Sequence, residues 1–255
     1  FLGNVIGDLA ESFEPSDGAK KWVFKVRKGA TFHNGKTVTA EDVVASMTHH
    51  RGENSKSAAK SLLKEVVNLT ADGPDTVVFE LSGGNADFPY TVSDYHMPIM
   101  PKKDDGSADW ESGIRTGAYA LEKFTPGVSA TFNKNPNYYK APQPYLDAIE
   151  MTVITDQNNA LSQFRTKNLD VNLAPLDLPR FTQLEKELKG VKSLKVPGIL
   201  DPWIGINLRR PPWNDIRVRR ALDMAIDRKD MIAKLAFGEG KVNGPIPWGN
   251  ERWAL

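Results

Sequence analysis

The run from Ile206 to Gly238 leaves this chain the fewest ways to fold. Pro211 and Pro212 lack backbone donors and push the preceding residue out of the α region, so a strand ending near Leu208 cannot continue into a helix. Asn214 or Asp215 then offers a cap. Val218, Ala221, Leu222 and Ala225 recur at helical spacing on one apolar face, while Arg217, Arg219, Arg220 and Asp223 fall elsewhere. Asp227 opens a second helix, its carboxylate placed to accept from the amide of Asp230. Ile232, Leu235 and Ala236 supply the buried side, and Gly238 is the expected left-handed stop. Asn207, Arg219 and Asp227 are expected to serve folding and not ligand contact.

In these residues the run resembles the extracellular solute-binding proteins of ABC importers, the family that takes up peptides, nickel and opines. Asn207, Pro212, Trp213, Asn214, Asp215, Val218, Arg219, Ala221, Leu222, Ala225, Ile226, Asp227 and Arg228 stand in register with that family's pattern, with Trp213 where Phe is common. Members are about twice as long as this chain. The chain begins at Phe1 and ends at Trp253-Ala254-Leu255 without a cap or polar tail, so both termini are read as cuts inside a longer protein. On that reading a signal peptide would lie upstream of Phe1.

Composition narrows the alternatives. With 40% hydrophobic and 25% charged residues the chain has globular composition. A net charge of +1 gives no general attraction to nucleic acid or anionic lipid. The six arginines from Arg209 to Arg228 interleave with Asp215, Asp223 and Asp227, the pattern of an ion-paired helix face. Zero cysteines exclude disulfides and thiol chemistry. No apolar run approaches the ~20 residues that span a bilayer.

In chain order, Trp22, Phe24 and Val26 alternate as a strand, followed by Arg27-Lys28-Gly29-Ala30-Thr31-Phe32-His33-Asn34-Gly35 and a helix that starts at Thr39 with Asp42 as the reciprocal capping partner. Leu9-Ala10-Glu11-Ser12-Phe13, the His33 segment and Thr39-Ala40-Glu41-Asp42-Val43 all resemble segments of the same family, as do Arg115-Thr116-Gly117-Ala118-Tyr119 and Asn135-Pro136-Asn137-Tyr138-Tyr139. The stretch Gly29 to Thr37 has one residue too many for a phosphate-cradling loop, so a β-turn at Asn34-Gly35 is expected. Val77, Phe79 and Leu81 form a strand; 55–69 is ambiguous, and 88–109 reads as a short helix and surface loop. Asp104, Asp105 and Asp109 lack the alternating spacing of a calcium loop. His49 and His50 are adjacent and point about 100° apart on a helix, so they do not share an ion readily. His96 is alone.

Further on, a hairpin is expected around Thr125 to Gly127 and a strand at Ile149, Met151 and Val153. Strands at Leu169 to Leu173, 191–196 and Trp203 to Leu208 alternate with helices carrying Ala160, Leu161 and Phe164 and then Phe181, Leu184 and Leu188. Such alternation implies a largely parallel sheet whose ligands bind beyond the carboxyl ends of its strands. That rule points to Leu200, Asp201 and Trp203 as candidate ligand-binding residues. The alternative for Trp203 is core, and for Asp201 a turn with Pro202. In the resembling family this stretch contributes first-lobe contacts, most of the polar clamp coming from a second lobe.

The expected class is thus α/β: the first lobe of a periplasmic binding protein of type II, with a mixed, largely parallel sheet and an α+β accessory subdomain. Residues 1–112 would be the accessory part, 113–237 the central sheet, and 238–255 the start of the second lobe. No nucleophile elbow or zinc-protease helix is present, and no cofactor is expected. The resemblance implies the substrate-binding component of an ABC importer, periplasmic or at the cell surface, a monomer that captures a small solute, a peptide by default, and hands it to a membrane permease without nucleic acid. A hydrolase of α/β or α+β fold is the competing class.

Overall fold

The structure is a computed structural model that describes residues 5–173, 176–194 and 204–242. It divides into two compact units between Val153 and Ile154, further along than the boundary expected near residue 112.

The first unit is built on a four-stranded antiparallel sheet of β1 (Ala10–Ser16), β2 (Lys21–Val26), β3 (Val66–Ala71) and β4 (Thr76–Leu81), in the order β1-β2-β4-β3. Alternation decides which face is buried: Trp22, Phe24 and Val26 point inward and Lys21 and Lys25 outward. The register sets Phe13 opposite Phe24 and Trp22 opposite Phe79. Phe24, Phe79 and Phe88 then meet edge to face at centroid separations of 5.1 to 6.3 Å. Helix α1 (Ala40–Arg51) packs across β3 and β4. Thr39 and Asp42 cap it reciprocally, as the sequence implied.

The ambiguity of 55–69 resolves into a short 3-10 turn, Ala58–Ser61, and β3. That strand escaped the alternation rule because a register shift between Val66 and Asn68 puts Val66 and Leu69, three residues apart, on the buried side. The stretch from α2 (Phe88–Val92) to Met100 also differs from expectation. Phe88, Met97 and Met100 are buried, so this irregular stretch closes the core instead of lying on the surface.

A second antiparallel sheet, β5 (Tyr119–Thr125), β6 (Ser129–Lys134) and β7 (Ala148–Thr152), completes the first unit, with the expected hairpin turn closed by the Val128 amide on the Thr125 carbonyl. Three sequence signatures converge where this sheet begins. The His33 ring faces the Arg115 N–H through Nδ1 (3.3 Å), which must therefore accept, leaving Nε2 to donate to the Gly117 carbonyl (3.0 Å). Asn135 Nδ2 donates to the same carbonyl (3.0 Å). The turn at Asn34-Gly35 is the plain one expected, with Gly35 at φ 83° and the Lys36 amide on Asn34 Oδ1.

The second unit holds four helices among the described residues: α3 (Gln157–Arg165), α4 (Leu178–Glu187), α5 (Ile216–Ala225) and α6 (Arg228–Leu235). Asp156, Asp177, Asp215 and Asp227 cap them, each accepting a backbone N–H early in its helix. Ala160, Leu161 and Leu184 are buried, and Arg165 pairs with Glu187 at 2.7 Å. Gly238 stands at φ 83° after α6, its amide on the Ile232 carbonyl. Asn207 accepts from the Arg209 amide, and Arg219 donates to the Trp213 carbonyl, both local folding contacts.

Two expectations for this unit are corrected. All strand pairings among the described residues are antiparallel, and 169–173, 191–194 and 204–208 are not strands; the remaining residues of the expected strands, 195–196 and Trp203, lie outside the described residues. A strand exists only with a ladder partner, and none lies beside these segments among the described residues; Val171 and Leu173 stand exposed. Likewise α5 and α6 form as expected but bury no residue, Val218 and Leu222 being only half-covered.

Candidate ligand-binding site

Leu200, Asp201 and Trp203 lie outside the described residues. A concave, mostly apolar site lies in the first unit: a cavity of about 480 Å³ between the sheet, α1 and the 89–99 segment. Its walls follow from the alternation of the strands. Phe13, Phe24, Val26, Val77 and Phe79 present their inward faces, Val43 and Met47 come from α1, and Val92, Met97 and Ile99 close the far side. An apolar chamber with few polar groups at its edge is the ordinary form of a small-molecule site.

Two polar clusters stand at that edge. In the first, Asp8 Oδ1 accepts from Tyr139 Oη (2.8 Å) and Lys140 Nζ (2.6 Å), while Arg27 Nε donates to the Asp8 carbonyl and its guanidinium lies 5.6 Å from the Tyr139 ring centre. Burial pushes the Asp8 carboxyl up, but the bonds from Lys140 and Tyr139 and the two cations outweigh it and hold the group below its ordinary range. Burial and the Asp8 bond push the Tyr139 phenol up, so the phenol stays a donor. This cluster ties the chain before β1 to the loop after β6 and is fully engaged.

The second cluster is Asp94, Tyr95 and His96. Asp94 Oδ1 accepts from both the His96 amide (2.9 Å) and His96 Nδ1 (2.7 Å), which together hold its carboxyl below the usual range. Tyr95 lies against the His96 ring, tilted, at 3.9 Å between centroids and 34° between planes. Ser93, Asp94 and Tyr95 line the cavity, so this turn is part of its mouth. The sequence reading took His96 as alone and did not mark Asp94 or Tyr95, because no periodicity marks them; His96 is instead paired with Asp94. The available signal was a tyrosine set between Asp and His in a loop where nothing predicts a place to bury it.

His50 belongs to neither cluster. It is buried, its Nδ1 2.6 Å from Ser57 Oγ, and its ring meets those of His49 and Trp110. Among the described residues no group of three or more His, Asp or Glu side chains is placed to hold a metal ion. No helix among them is long and apolar enough to cross a membrane.

The fold is that of the type II periplasmic binding proteins. AppA of Bacillus subtilis, solved with a nonapeptide, superposes with a TM-score of 0.81 at 26% identity over 97% of this chain and 51% of that one. MoaA from A. tumefaciens R10, solved with mannopinic acid, gives 0.77 at 26% identity over 94% of this chain and 49% of that one.

Residues 4–254 match the family model for bacterial extracellular solute-binding proteins, family 5 Middle, and the chain belongs to that family. Among curated proteins it is similar to the oligopeptide-binding protein AppA of Bacillus subtilis, at 27% identity over 96% of this chain and 47% of the relative. It is also similar to the periplasmic oligopeptide-binding protein OppA of Haemophilus influenzae, at 25% identity over 94% of this chain and 48% of the relative. The chain spans about half the length of the curated relatives it matches.

Proposed function

We propose that this chain is the first lobe of the substrate-binding component of an ABC importer, a receptor that closes two lobes on a peptide or similar small solute and delivers it to a membrane permease. The observation that carries this reading is the family match along nearly the whole chain, with named peptide-binding relatives that extend to twice its length. The reading places the receptor in the periplasm or at the cell surface, as a monomer without enzymatic turnover. It assigns residues 1–112 to an accessory α+β subdomain, 113–237 to the central α/β part of the first lobe and 238–255 to the start of the second lobe. Leu200, Asp201 and Trp203 are the ligand contacts proposed on that central part.

The test is a thermal-shift screen of the two-lobed receptor against tri- and tetrapeptides, with product analysis. Binding to the native state alone raises the melting temperature as ligand exceeds Kd. Stabilisation with intact peptide supports a receptor; released amino acids would point to the hydrolase class. For the proposed contacts, Trp203→Ala should weaken peptide binding by ~1 to 3 kcal/mol, the scale of a lost buried aromatic contact. Normal binding with a lowered melting temperature would make Trp203 core.

A further inference from the structure

The most exposed large apolar side chain among the described residues is Tyr95, 84% accessible at the mouth of the cavity. Its hydroxyl makes no hydrogen bond to the described residues, and its ring lies against that of His96. Yet the turn that carries it is tied at both ends. Met97, buried, anchors one end and donates its amide to the Asp94 carbonyl at 3.0 Å, while α2, whose Pro89 and Val92 line the same cavity, anchors the other. Asp94 Oδ1 takes both the amide and Nδ1 of His96, fixing the imidazole plane beneath the phenol; Oδ2 has no partner among the described residues.

We propose that Tyr95, packed against the His96 ring that Asp94 holds, is the platform on which this receptor seats an aromatic or flat apolar side chain of a bound peptide. The inference rests on the peptide-receptor reading above and adds a selectivity to it. One phenol face is occupied by the imidazole, so a ligand ring takes the other. A tyrosine ring has few torsions to lose when it is covered, so little conformational freedom is spent on the contact. Asp94 Oδ2, at the same edge of the cavity, offers an acceptor for a peptide N–H or ammonium group. Tyr95 makes the contact; His96 and Asp94 are positioning residues.

Calorimetry on the two-lobed receptor with Ala-Phe-Ala and Ala-Ala-Ala decides the matter. The native protein should prefer the phenylalanine peptide by about three- to tenfold, the range of one aromatic pair. Tyr95→Ala should abolish the preference at an unchanged melting temperature, and Tyr95→Phe should retain it. His96→Gln should reduce the preference without affecting trialanine, and His96→Phe, which can still stack, should restore it. An unchanged preference in Tyr95→Ala overturns the platform and leaves the receptor reading intact. A melting temperature lowered by several degrees makes Tyr95 structural and overturns it equally. Native protein that binds neither peptide overturns the peptide reading itself.

Discussion

Asp42→Ala removes a carboxylate with no accessible surface whose two oxygens receive four donors. Lys36 Nζ and the Lys102 amide reach Oδ1, each at 2.7 Å, and the Thr39 amide and hydroxyl reach Oδ2 at 2.9 and 2.8 Å. Three segments therefore meet on one side chain: the turn after Asn34, the start of α1, and the stretch that follows the buried Met100. After truncation Lys36, nearly half exposed, can turn to water, but the Lys102 amide and both Thr39 donors stay behind in partly covered positions. Each such orphan costs ~1 to 3 kcal/mol, and loss of one member of a buried charged network ~3 to 5 kcal/mol. For a unit of this size that lowers the melting temperature by roughly 6 to 20 °C. Urea titration followed by tryptophan fluorescence gives the free energy, since Trp22 sits in the affected core.

Acid supplies an independent check on the same residue. Burial pushes the Asp42 carboxyl up, but the bonds from the Lys102 amide, Lys36 and Thr39 outweigh it, so the folded pKa lies below the ordinary 3.8. The unfolded state then binds the proton first as pH falls. Asp42's contribution is complete above the ordinary carboxylate value and is lost as pH drops through the folded one. Below about pH 4 the native protein should therefore lose stability more steeply than Asp42→Ala. A variant within about 1 kcal/mol of the native protein, with the same acid slope, would refute the reasoning.

His50 is expected to impose a second pH dependence. Burial, reinforced by the charges of His49 and His96, lowers its pKa below 6.5, so stability falls as pH drops beneath that value, and His50→Gln should flatten the decline between neutral pH and pH 5 in urea titrations. An unchanged slope would mean that His50 is not the group responsible. At Gly84 a Cβ would lie 2.4 Å from the Gly18 carbonyl oxygen, whereas at Gly83 it meets open space. Gly84→Ala should cost ~1 to 3 kcal/mol and Gly83→Ala little, and equal melting temperatures would show that the Asp17 to Lys20 turn yields freely.

What the sequence made legible was whatever is written locally. Thr39 and Asp42, Asp227 and Asp230, and the left-handed Gly238 all depend on neighbours within a few residues, and each stands as expected. Trp22, Phe24 and Val26 were readable because period-two alternation on a half-buried sheet is also local information. The failures involve partners distant in sequence. β3 was hidden by a bulge, and Leu169 to Leu173 alternates like a strand with no ladder to join among the described residues. The mouth of the cavity was illegible for a related reason. Asp94, Tyr95 and His96 acquire significance only because α2 and Met97 carry their turn to the edge of a chamber built mainly by other elements.

The central claim is that these residues form one wall of a cleft whose other wall lies in the remaining length of a two-lobed receptor. Titrating a single tripeptide, Ala-Phe-Ala, into this chain and into the two-lobed receptor by calorimetry tests it most directly. The account predicts that the receptor binds at least tenfold more tightly, about 1.4 kcal/mol or more, because the single lobe leaves half of the ligand in water. Equal affinities would contradict the account, since the peptide would then be held by this chain alone.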